Sequence, residues 1–144
     1  MSTAQAVLDS KGTEVQTIDK SATVLDAARL MNDKRIGALI VSEGKKVMGI
    51  FTERDLLMRV VAKKLDPAQT PVHQVMTTPM ACCTRKTKLT ECKAVMTQKK
   101  IRHLPVVEGG KLFGMISSGD LLAHEAADKD TTIEYLSEYL YGRN

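Results

Sequence analysis

The sequence predicts a mixed α/β (α+β) fold made of two β-α-β-β-α repeats packed sheet to sheet. Three observations carry that expectation. Shifted by 65 positions, residues 24–57 lie over residues 89–122 without a gap, and 12 of the 34 aligned positions are identical. In each copy two short apolar runs flank a glycine-containing turn, which is a hairpin signal. Each copy, at about 50–60 residues, is too small to bury a sufficient core alone, so the two should face each other.

The identities include Met31/Met96, Ile36/Ile101, Leu39/Leu104, Gly49/Gly114 and the run Asp55-Leu56-Leu57 over Asp120-Leu121-Leu122. Other pairs exchange like for like, among them Val24/Leu89, Asp26/Glu91, Val47/Leu112 and Thr52/Ser117. In order along each copy, a short strand is expected over 15–18 and again over 81–84. An amphipathic helix follows, with Val24, Ala27, Ala28 and Met31, then Leu89, Cys92, Val95 and Met96, at helical spacing. The hairpin strands are the runs 38–41 and 47–51, repeated as 104–107 and 112–116. A second helix begins at Thr52 and at Ser117. A proline-bearing linker spans 65–71, with one helical turn after it over 72–76. Near the end, Ile133, Leu136 and Leu140 form a helical stripe flanked by Tyr135 and Tyr139, suited to packing on its own domain or on a twin subunit. The chain thus divides into 1–72, the first repeat with an N-terminal segment, and 73–144, the second repeat with a C-terminal helix.

Hydrophobic residues make up 43% and charged residues 26%, which excludes a disordered tail, a collagen-like fibre and a disulfide scaffold. With 3% aromatics and no Trp, the core must be aliphatic and rich in Met. The apolar runs fall far short of the ~20 residues that span a bilayer. Glu134 and Glu138 argue against a membrane-surface role for the last helix. No basic segment followed by an apolar one opens the chain, so a cytoplasmic protein with reduced thiols is expected. Cys82, Cys83 and Cys92 form no C-x-x-C pair, and Cys82 and Cys83 read as small core residues on a strand. His73, His103 and His124 are dispersed, so no metal site is expected. The net charge of +4 suits small anions such as nucleotides, while the scatter of the basic residues argues against nucleic acid.

Both copies end a strand with G-x-x-[ST]-x-x-D: Gly49 to Asp55 and Gly114 to Asp120. The simplest account is a capping box, in which hydroxyl and acid satisfy the helix start reciprocally. The same place also offers free N–H donors and a positive dipole end for phosphate. A carboxylate there can accept from two vicinal ribose hydroxyls. Both readings use the same residues.

The repeated unit, the run Arg102-His103-Leu104-Pro105-Val106-Val107 and the two G-x-x-[ST]-x-x-D endings resemble a tandem pair of CBS domains, also called a Bateman module, over nearly the whole chain. Val75-Met76-Thr77 is similar to the segment that precedes a second copy. Thr52-Glu53-Arg54-Asp55 and Ile101-Arg102-His103-Leu104-Pro105 look most like small stand-alone pairs of bacteria and organelles. The resemblance implies two clefts related by a pseudo-twofold axis that accept an adenine nucleotide: AMP, ADP, ATP or NAD(H). Asp55 and Asp120 would hold ribose hydroxyls, and Thr52 and Ser117 would meet phosphate or ribose. Ile36, Gly37 and Ala38, with Ile101, Arg102, His103 and Pro105, would border adenine or phosphates. Thr84 and Thr87 would complete the Asp55 cleft, and Ile18 and Ala22 the Asp120 cleft.

The clefts cannot be equivalent. Copy one has Gly37 and Ala38 where copy two has Arg102 and His103, and copy one has Arg54 where copy two has Gly119. The Asp120 cleft thereby gains cations on its hairpin side and the Asp55 cleft gains one on its helix side. Exposed salt-bridging arginines and an ordinary half-buried histidine are the structural alternatives, and Lys88 replaces Thr23 at one helix start. The chain carries no nucleophile elbow, P-loop or H-E-x-x-H motif, so a non-catalytic, nucleotide-sensing regulatory module is expected. The resemblance also implies a disc-like homodimer. The alternative is a structural dimerisation module whose clefts bind nothing.

Overall fold

The computed structural model describes residues 2–127. The first repeat comprises β1 (Thr17–Asp19), α2 (Val24–Lys34), β2 (Ala38–Glu43), β3 (Lys46–Thr52) and α3 (Glu53–Asp55). Helix α3 runs on as π-helix over Leu56–Val61, where Ala62 N donates to Leu57 O (2.9 Å) and Leu65 N to Val60 O (3.0 Å). A 3₁₀ turn (Val72–Gln74) leads to α4 (Leu89–Lys99), β4 (His103–Glu108), β5 (Lys111–Ser117) and α5 (Ser118–Ala127). Among the described residues no helix is long and apolar enough to cross a membrane. The stripe of Ile133, Leu136 and Leu140 lies outside the described residues.

Strand β2 is apolar without alternation because it is covered on both faces. Leu39 and Val41 join Val24, Ala27 and Met31 of α2 and Phe51 of β3 in the first repeat's core. Ala38 and Ile40 face the other way, toward Ile50 and Met115, where the two sheets meet. The repeat extends to an irregularity in each hairpin, at Val41/Ser42 and at the equivalent Val106/Val107.

The expected strand over 81–84 is reduced to one parallel bridge, Cys83 to Val106. Its counterpart β1 is anchored by Ile40 N donating to Gln16 O at 3.1 Å. The residue equivalent to Ile40 is Pro105, which has no N–H to give, so the ladder keeps only Cys83 N to Pro105 O (2.9 Å) and Val107 N to Cys83 O (2.8 Å). The shortened strand leaves Cys82 exposed, against the expectation that it is a core residue, while Cys83 is buried beside Cys92.

Helix α1 (Ala4–Lys11) has no counterpart in the repeat pattern. Although the sequence division assigns it to the first half, Ala4, Val7 and Leu8 sit in the second repeat's core with Met96, Leu104 and Ile116. Its leading residues also do what Lys88 cannot. Lys88 provides no side-chain cap for α4, and Leu89 N donates instead to Ser2 O at 3.0 Å.

The repeated glycines have one cause in both copies, a close approach by another segment. A Cβ on Gly49 would stand 2.6 Å from Thr77 O, and one on Gly114 would stand 2.5 Å from Leu8 Cδ2.

Candidate functional site

Both G-x-x-[ST]-x-x-D endings fold as capping boxes. Asp55 N donates to Thr52 Oγ1 (3.2 Å) while Thr52 N donates to Asp55 Oδ2 (3.0 Å). In the second copy Asp120 N donates to Ser117 Oγ (3.1 Å) and Ser117 N to Asp120 Oδ2 (2.8 Å). The next N–H is spoken for as well: Glu53 N donates to Gly37 O (3.0 Å), and Ser118 N to Arg102 O (2.9 Å). The free N–H donors expected at these helix starts are therefore largely occupied, so any phosphate must be met chiefly by side chains.

A cavity of about 830 Å³ opens in front of Asp55, between the repeats. Copy one contributes Thr52, Arg54 and Asp55; copy two contributes Ile101, Arg102 and His103, which the repeat comparison assigns instead to the Asp120 cleft. Asp55 is 6% exposed; its Oδ1 accepts from Thr77 Oγ1 at 2.9 Å and lies 3.5 Å from Arg59 Nε. Ile50, Leu57, Met58, Pro79 and Ala81 give the cavity apolar walls. Among the described residues, Arg54, Arg59, Lys99, Lys100 and Arg102 face it against two carboxylates, Glu53 and Asp55, so their potential inside favours anions. Arg54 is aimed by its bond from Nη1 to Lys100 O (3.0 Å).

A second cavity, about 570 Å³, is lined by Arg102, His103 and Ser117 from copy two and by Ile36 and Gly37 from copy one, which the repeat comparison groups instead with Asp55. Arg35, Asn32 and Ser118 add polar groups that sequence reasoning missed. Glu53, Arg102 and His103 border both cavities and so form the wall between them. Gly37 makes that wall possible: a Cβ there would lie 3.1 Å from Glu53 Oε1 and 3.2 Å from His103 Cε1.

The remaining candidates line neither cavity. Ala38 and Pro105 are buried in the sheets, and Gly119 and Asp120 stand aside. Ile18 packs into the first core. Ala22 and Thr87 are equivalent residues, and their carbonyls hold incoming chain, Val72 N on Ala22 O and Ala4 N on Thr87 O, both at 2.8 Å. Thr84 is turned toward Thr87, whose Oγ1 accepts from Thr84 N at 3.0 Å. The residues that complete the Asp55 cavity from the second half are instead Thr77, Pro79 and Ala81, on the segment that crosses Gly49. Among the described residues no cluster of His, Cys, Asp and Glu could hold a metal ion.

Burial pushes the His103 imidazole below its ordinary value of 6.5; Glu53 and Asp120 pull it up, while Lys11 and Arg102 push it down. A histidine held down in the fold binds fewer protons than it does unfolded, so it subtracts stability as pH falls below about 6.5. Urea unfolding of the wild type should therefore weaken between pH 7.5 and 5.5 more than that of His103→Gln. Equal losses in the two proteins would mean that the imidazole is solvated.

The sequence pattern of the CBS domain matches residues 11–62 and 72–127. The CBS domain-containing protein YhcV of Bacillus subtilis is 33% identical over 124 residues, covering 86% of this chain and 88% of that protein. Among solved structures, a protein with CBS domains from Burkholderia ambifaria, described as a signal-transduction candidate, has a TM-score of 0.86 at 39% identity and covers 90% of this chain and 97% of its own. A CBS-CP12 protein from bloom-forming cyanobacteria, described as hexameric, has a TM-score of 0.76 at 31% identity, covering 90% of this chain and 75% of its own. Two interlocked repeats with matched helix-start motifs, and these likenesses over nearly their full length, make the chain a member of the CBS-domain family, a tandem pair of regulatory modules.

Proposed function

We propose that the chain is a non-catalytic regulatory module of the cytosol that binds an adenosine-type nucleotide (AMP, ADP, ATP or NAD) between its repeats. The observation that supports this most is the make-up of the Asp55 cavity. It combines a buried carboxylate beside a hydroxyl, apolar walls, and a surplus of cations at Arg54, Lys99, Lys100 and Arg102. Those three chemistries suit ribose, purine and phosphate in turn. Because both repeats supply walls, an occupant contacts both and biases one relative arrangement, which a partner can read.

The chain is also proposed to act as a homodimer. Leu57 and Leu122 are equivalent positions, and among the described residues they are 62% and 67% exposed. One apolar residue presented twice by related helices gives a self-complementary face for a second copy.

Calorimetry with AMP, ADP, ATP, NAD and S-adenosylmethionine, alongside light scattering, tests both parts. We expect a dimer mass and saturable heat with at least one phosphate-bearing ligand, with the cationic sulfonium compound disfavoured by the basic lining. Silence from all five with unchanged melting temperatures would favour a dimerisation module that binds nothing. Conversion of a bound nucleotide to product would point to an enzyme.

A further inference from the structure

We propose that Lys11 closes the nucleotide position of the second half, so that each chain takes one nucleotide, in the Asp55 cavity. The inference rests on the nucleotide reading above. The repeat sets Thr52 and Asp55 over Ser117 and Asp120, and Ile50 over Met115. In the first half Ile50 and Asp55 both line the cavity, and the carboxylate's Oδ1 accepts from the neutral hydroxyl of Thr77 at 2.9 Å, with the Arg59 guanidinium farther off at 3.5 Å. In the second half, among the described residues, the 570 Å³ cavity is lined by Ser117 and Ser118 but by neither Met115 nor Asp120. There Lys11 Nζ lies 2.7 Å from Asp120 Oδ2 and 2.9 Å from Met115 O, and so bridges the carboxylate and the wall that a ribose and its base would need.

The lysine is delivered by an anchored element. It is the last residue of α1, one turn beyond Leu8, which is 2% exposed and seated over Gly114. Gly12 N closes the helix on Leu8 O at 2.8 Å, with a φ of 98°. Ribose hydroxyls are neutral donors, and to reach Asp120 they would have to displace a charge-assisted hydrogen bond with a weaker one. Burial works to raise the Asp120 carboxyl, but Lys11 and Ser117 outweigh it and hold the group below its ordinary value, as expected for a carboxylate that already has its cation.

Equilibrium dialysis of the full chain against ATP, AMP and NAD gives the stoichiometry. The expected result is one equivalent for wild type and for Lys11→Arg. Lys11→Met should take two, and the second should vanish when Asp120→Asn is added. Wild type binding two equivalents would overturn the block alone, as would folded Lys11→Met remaining at one. No binding by any form would overturn the nucleotide reading itself. Should Lys11→Met not fold, the single variants decide: Asp120→Asn should keep the wild-type affinity for the one nucleotide, and a loss of tenfold or more there would overturn the proposal.

Discussion

Asp55→Asn is expected to weaken nucleotide binding by about 100-fold while the chain stays folded. In the nucleotide reading the carboxylate accepts from two ribose hydroxyls, and each bond to a charged acceptor contributes about 1.5–3 kcal/mol. The amide keeps the shape, but one of its two heads donates, so one hydroxyl is left facing an N–H. Losing about 2.7 kcal/mol corresponds to two decades of affinity. The same exchange disturbs the cap, because Asp55 Oδ2 accepts from Thr52 N and Oδ1 from Thr77 Oγ1. Disturbing one such bond should lower stability by about 1 kcal/mol. The two effects separate when calorimetry is run well below the melting temperature and compared with Asp120→Asn. If Asp55→Asn lost stability but kept its affinity, Asp55 would be a capping residue and nothing more.

What the sequence made legible follows from how each residue acts. The matched register of Thr52 with Ser117 and of Asp55 with Asp120 announced the helix starts, because a capping box is local and shows at three-residue spacing. The continuous apolar run of β2 showed a strand covered on both faces. The shortened second ladder was also written in the chain, as Pro105 opposite Ile40, but only pairing turns that exchange into a missing hydrogen bond. Helix α1 was not legible. The repeat offers no template for it, and just Ala4, Val7 and Leu8 mark its buried side. Within the site, Arg35 and Lys100 were missed because their placement depends on backbone shape. Both occupy left-handed helix ends, with φ of 53° and 55°, that turn each chain toward the opposite repeat. Thr84, Thr87, Ile18 and Ala22 were expected to reach across, but Ala22 and Thr87 are taken up holding incoming backbone and Ile18 is taken up in the core.

Leu8→Ala is expected to destabilise the chain by about 2–5 kcal/mol, the range for emptying a filled aliphatic site. Leu8 is 2% exposed and shares its core with Cys92, Met96, Leu104 and Ile116. Gly114 opposite it has no Cβ to fill the space left behind. The control is Leu65→Ala, which is 42% exposed and should stay within about 0.5 kcal/mol. Urea midpoints read at constant slope give both numbers. The measurement bears on function because Leu8 and Lys11 share one helix. A loosened α1 releases the ammonium from Asp120, so the variant should recover part of the second binding position under conditions where it remains folded. A cost near zero would instead mean that α1 is not part of the core. Lys11 would then hang from an unanchored segment, and it could not hold Asp120 against a competing ligand.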